Sequence, residues 1–137
     1  MKKRVEAPSS VGVDSMDDEH KECADAFNLV IANSSSENLR ILYDTLKSHF
    51  DHEEALITKY IHNSTSFSSL NSHKMDHERI LKIANDELYR VNGCGLNGQW
   101  HKIPVDLAVV REIADAFHKH AEQFDSLYES KIPVSAD

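Results

Sequence analysis

Glycine and proline are scarce, four and three in a chain of 137 residues. With so few breakers and no strand-like alternation of apolar and polar residues, the expected architecture is all-α, helices joined by short loops. Cysteine is nearly absent. Cys23 and Cys94 lie in different segments without a CxxC spacing, so neither a disulfide framework nor a thiolate metal site is expected. Basic residues are outnumbered 15 to 23, and the net charge of −8 repels nucleic acid and anionic lipid. No apolar run approaches the ~20 residues of a membrane span. The opening MKKRVEAPSS is basic but lacks the apolar stretch of a signal peptide, so residues 1–14 read as an arm. The 40% of hydrophobic residues suffices for one core, and the expectation is a single soluble, cytoplasmic domain, monomeric or weakly oligomeric.

What the chain does have is histidine, nine in all. Four helical segments are expected, at about 16–33, 37–61, 69–91 and 104–131. Ser15 suits an N-cap of the first, with Asp17, Asp18 and Glu19 in its first turn. The run HNSTSFSS closes the second, NGCGLNG closes the third, and Pro104 suits the first position of the fourth. Spacings of three and four residues pick out the inward faces. The first carries Met16, His20, Cys23 or Ala24, Phe27 and Val30. On the second lie Leu39, Leu42, Leu46, His49, Glu53, Leu56 and Tyr60. The third has Leu70, His73, His77, Ile80, Ala84, Leu88 and Val91, and the fourth Val110, Ile113, Phe117, His120, Phe124 and Leu127, with Asp125 on the flank. Every seam therefore contains a histidine.

Burying an unpartnered polar group costs about 1 to 3 kcal/mol, against a typical domain stability of about 5 to 15 kcal/mol. Five inward imidazoles with Glu53 and Asp125 thus need a shared partner, and a metal supplies one. His49 with Glu53, and His73 with His77, are four apart and share a helix face. Seven donors exceed what tetrahedral zinc accepts, and imidazole with carboxylate suits iron or manganese better than structural zinc or copper(I). Two octahedral ions offer twelve positions, of which five imidazoles and three bridging groups occupy all but one.

SVGVDSMDDEH, HFDHEE, HKMDH and HAEQFDSLY together resemble the motifs of the hemerythrins, specifically the single-domain bacterial type, over residues 10 to 132. The resemblance implies an up-down-up-down antiparallel four-helix bundle with an N-terminal arm. It also implies two iron ions joined by an oxo or hydroxo bridge and by Glu53 and Asp125. His73, His77 and His120 would complete one iron; His20 and His49 would hold the other, which keeps an open position for reversible O₂ binding. Three departures stand out. The interval from Glu53 to His73 is longer by about five residues, which predicts an expanded loop around Asn63 to Ser68. Ala116 and Ala121 replace the bulky apolar residues that screen the O₂ pocket in the family, predicting a wetter site unless Phe117 fills the gap. The aromatic residue usual near the N-terminus is missing, which leaves the docking of the arm open.

Other polar residues fit blander roles. His52 falls beside the stripe and suits contact with solvent or with a ligand's partner. His118, His62 and His101 are assigned to the surface, and Glu54, Asp51, Asp17 and Asp18 to solvated or capping positions. Trp100 is expected to cover a bundle end, while Tyr128 could pack beneath the cluster or bond a ligand. O₂ transport, storage or delivery without enzymatic turnover is the first functional expectation, with a redox or oxygen-consuming protein as a partner. The rivals are an O₂, redox or iron sensor and a di-iron oxidase or peroxidase. The oxygenase pattern of paired ExxH motifs is absent from inward sites.

Overall fold

The computed structural model describes residues 4–60, 64–92, 103–128 and 132–136, with the backbone alone for 64–70 and 124–128. Four helices follow in order, α1 (Asp14–Ala32), α2 (Ser36–Tyr60), α3 (Ser64–Val91) and α4 (Leu107–Tyr128). No strand occurs among the described residues. Each helix packs on the next, and α4 returns to α1. Contacts at two levels show the sense of the pairs. Glu19 meets His49 while the Leu29 carbonyl accepts from Asn38 Nδ2, so α1 and α2 run antiparallel. His120 meets Asp76 while Asp106 meets Glu87, so α3 and α4 do too.

The expected inward faces are buried throughout wherever their side chains are described, apart from half-buried Tyr60, and α1 buries both Cys23 and Ala24. A main core formed by Phe27, Leu42, Leu46, Phe50, Ile80, Ile113 and Phe117 fills one stretch of the bundle. A second, smaller one gathers Val11, Val13, Met16, Leu56, Ile57, Ile132 and Ala136. The polar ligand candidates lie between them in sequence on α1 and α2, one helical turn from Met16 and Leu56.

Several element ends differ from expectation. Ser15 is not the cap of α1: Val13 takes that position without a side-chain bond, and Ser15 Oγ donates to the Ala136 carbonyl at 2.8 Å. The Asp17 carboxylate accepts from Val11 N and Ser10 Oγ at 2.8 and 2.6 Å, folding the arm back on the first turn. Gly12, at φ 78°, makes that fold, a left-handed conformation that a Cβ would penalise. Ser35 caps α2 by accepting from Asn38 N. Over 64–68 the expected loop is not formed; α3 begins at Ser64 and takes these residues as helix. Neither glycine nor proline occurs from 61 to 74, and serine and threonine are favourable in a first turn. α4 starts at Leu107 rather than Pro104, because Asp106 caps it by accepting from Ala108 N at 2.9 Å.

The arm docks without an aromatic anchor. Asn28 grips both backbone groups of buried Val5, accepting from its N–H at 2.7 Å and donating to its carbonyl at 2.9 Å. His118, expected at the surface, is half-buried and bonds the Glu6 carbonyl through Nε2. Cys94, His62, His101 and Trp100 lie outside the described residues, as do the side chains of Asp125 and Tyr128.

Candidate metal centre

Six of the seven expected ligands, His20, His49, Glu53, His73, His77 and His120, are buried, and Glu53 is 0% exposed. The spacing on each helix brings them together. Donor atoms of His20, His49 and Glu53 lie within 4.8 Å of one another, and so do those of Glu53, His73 and His120. Glu53 belongs to both groups. Its Oε1 lies 3.1 Å from His77 Nε2 and 2.8 Å from His120 Nε2, and those two nitrogens are themselves 2.8 Å apart. Its Oε2 faces His49 Nε2 at 3.4 Å. The seventh candidate, Asp125, lies on α4 five residues beyond His120, with its side chain outside the described set.

The outer nitrogens of three rings are held by carboxylates that sequence reading missed. His49 Nδ1 donates to Glu19 Oε1 at 2.8 Å, His77 Nδ1 to Glu54 Oε2 at 2.7 Å, and His120 Nδ1 to Asp76 Oδ2 at 2.7 Å. Carboxylates only accept, so each bond puts the proton on Nδ1 and aims the Nε2 lone pair at the cluster. Glu54, expected to be solvated, is thereby corrected to a ring-orienting role. The three acids obey one pattern: each adjoins a ligand candidate on its own helix, and each reaches the histidine of the following helix. Glu19 precedes His20 and serves α2; Glu54 follows Glu53 and serves α3; Asp76 precedes His77 and serves α4. His52, beside the stripe as expected, donates from Nδ1 to Glu19 Oε2 at 2.5 Å. Asp51 instead pairs with Lys47 at the surface.

Burial and neighbours split the imidazoles. Burial, with His49 beside it, lowers His20 to about 4, and burial likewise lowers His73 to about 4, so both are neutral donors at neutral pH. Burial opposes charge on His120 as well, yet its bonds to Asp76 and Glu53 prevail and raise it to about 9, so without an ion Nε2 is protonated too, and a cation bound there would take that proton's place. Burial also opposes ionisation of Glu53, but the imidazoles of His120, His49 and His77 around it hold it well below the carboxylate range. The cluster thus carries an ionised carboxylate in the middle of the bundle.

This arrangement fits a cation. At the meeting of His77, His120 and Glu53, a single proton cannot bond all three atoms at once, whereas an ion between them would serve every lone pair. His20 Nδ1, His49 Nε2 and Glu53 Oε2 are buried without a hydrogen-bond partner. Such orphan atoms are rare in folded proteins unless something else is bound there. Imidazole nitrogen and carboxylate oxygen form a donor set suited to iron or manganese.

Apolar rings wall the cluster. Phe50 stacks on His77 at 4.1 Å, and Phe117 stands edge-on to His20 at 5.6 Å and to His49 at 6.0 Å. Phe117 is fully buried and Ala121 nearly so. Ala116 is half-buried against the main core.

No solved structure matches the chain significantly. Residues 11–132 match the family described as the hemerythrin HHE cation-binding domain, nearly the whole chain. With its buried histidines gathered round one shared glutamate, the chain belongs to the hemerythrin family.

Proposed function

We propose that the protein is a non-haem di-iron protein that binds O₂ reversibly, serving its transport, storage or delivery in the cytoplasm without enzymatic turnover. The observation that supports this most is Glu53, placed between two groups of histidines so that one carboxylate can bridge two ions. A reduced iron pair with one open position supplies reversible O₂ binding. His73, His77 and His120 would hold one ion; His20 and His49 would hold the other, with Glu53, and Asp125 from α4, bridging.

The rest is done by the chain. Glu19, Glu54 and Asp76 fix three rings in the tautomer that presents Nε2 inward and make those nitrogens better donors. Phe117, supported by Phe27 at 5.8 Å, keeps water from the side on which His20 and His49 stand. A small apolar molecule loses little on entering such a wall, whereas a proton or hydrated anion loses its solvation. That bias favours release of O₂ unchanged over irreversible oxidation of the iron.

The test is a metal assay with an electronic spectrum, recorded anaerobically after reduction and again as air is admitted. About two irons per chain, with a near-ultraviolet and visible charge-transfer band that appears with air and vanishes when oxygen is removed, is the expected result. Two irons that oxidise at once and irreversibly would favour a redox sensor or oxidase instead.

A further inference from the structure

We propose that His52, acting through Glu19, is a positioning residue for His49 and sets how tightly one of the two cation positions, that of His20, His49 and Glu53, holds its ion. This rests on the metal-centre reading above.

The orienting carboxylates do the same task but are themselves held differently. Asp76 is fixed by Arg79 on its own helix, whose Nη2 and Nε approach Oδ1 at 2.7 and 3.2 Å. Its other oxygen is left for His120. Glu19 is fixed from the neighbouring helix. His49 and His52, three residues apart on α2, present their Nδ1 atoms to the two oxygens of the one carboxylate, at 2.8 and 2.5 Å. Two bonds to two oxygens stop the carboxylate from turning, and so keep Oε1 in line with His49 Nδ1.

Glu19 borders a cleft of about 320 Å³ between α1 and α2, and without His52 its carboxylate is free to turn towards it. Glu22, Asp44, Thr45 and Ser48 line that cleft with Glu19 and His49. Two further carboxylates repel Glu19 there, and water and the hydroxyls compete for its oxygens. The His49 ring then loses its fixed acceptor, and the ion bound at its Nε2 loses affinity. His73, His77 and His120 take no orientation from Glu19, so the other position is untouched. Loss of such an outer partner typically costs 10- to 100-fold in metal affinity.

The experiment is an anaerobic titration of the metal-free full chain with Co²⁺, followed by calorimetry and visible absorption. Wild-type protein takes up two ions per chain. His52→Leu weakens one of the two binding events about 10- to 100-fold and leaves the other in place. His52→Asn, whose amide N–H stands near the position of Nδ1, restores it. Asp76→Asn weakens the other event instead. Unchanged affinities in His52→Leu overturn the proposal while leaving the metal centre intact, and equal weakening of both events reduces His52 to a general structural part. A wild-type chain that takes up no stoichiometric ion overturns the metal-centre reading and this proposal together.

Discussion

Stripping the metal from the protein should destabilise it by an amount the buried atoms allow to be worked out. His20 Nδ1, His49 Nε2 and Glu53 Oε2 lie in the core without a hydrogen bond. A buried unsatisfied polar atom costs about 1 to 3 kcal/mol, so the three amount to roughly 3 to 9 kcal/mol. His49 Nε2 and Glu53 Oε2, 3.4 Å apart, can settle part of this between themselves. The crowding of His77, His120 and Glu53 within 3.1 Å remains, so about 3 kcal/mol is the lower bound. For a chain of this length 1 kcal/mol moves the melting midpoint by roughly 3 to 6 °C. The metal-free form should therefore melt at least about 10 °C below the loaded one, as read by circular dichroism after exhaustive chelation and after readdition of Fe²⁺. Equal amounts of helix in the two forms at low temperature would show that the comparison is between folded states. Midpoints within 2 to 3 °C of each other would refute the reasoning, because the polar cluster would then be satisfied without an ion.

Other outcomes follow from single residues. Phe117→Ala should cost about 3 to 5 kcal/mol in denaturant unfolding of the loaded protein and, on the proposed function, speed oxidation of bound iron, while Ala121→Ile, at a site already buried, should change that rate less. The bond of Glu87 to Arg90, helped by Asp106 N at 2.7 Å, holds its carboxyl below the ordinary range despite burial. Because the folded value is depressed, the stability it contributes is present above the ordinary carboxylate range and is lost as pH falls through that lower value. Glu87→Gln should thus cost about 1 to 2 kcal/mol at pH 7, mostly through the Asp106 bond since Arg90 reaches water, and the deficit should close in urea titrations towards pH 3. Burial pushes the Cys23 thiol far up and hides it, so mass spectrometry should find it unmodified by thiol reagents in native buffer and labelled on unfolding.

The inward faces were legible because burial demands a regular period, and a histidine in register with leucines stands out against it. His20, His49, Glu53, His73, His77 and His120 could be singled out on that ground, and the structure brings them together. Glu19, Glu54 and Asp76 could not, because each lies one residue off an inward position and its partner belongs to another helix. Their signal was present all the same: an acid immediately beside a ligand candidate on three successive helices. The α3 start was misplaced because serine and threonine weigh against helix in general but not in a first turn, and α4 because Asp106 caps more strongly than Pro104 starts. The arm's anchor is a hydrogen-bonded asparagine, a kind of docking that no apolar pattern announces.

The small core beside the ligand cluster brings residues 11–16 and 132–136 together. Asp14 N donates to the Val134 carbonyl, Ser15 Oγ donates to that of Ala136 across 121 positions, and Ile132 packs with Val11, Met16 and Leu56. Contacts of such sequence separation form only after the intervening helices are assembled. During synthesis, which runs from the N-terminus, these contacts wait until residues 132–136 have left the ribosome. Met16 and Leu56 therefore gain Ile132 as a neighbour later than the main core gains its own contacts.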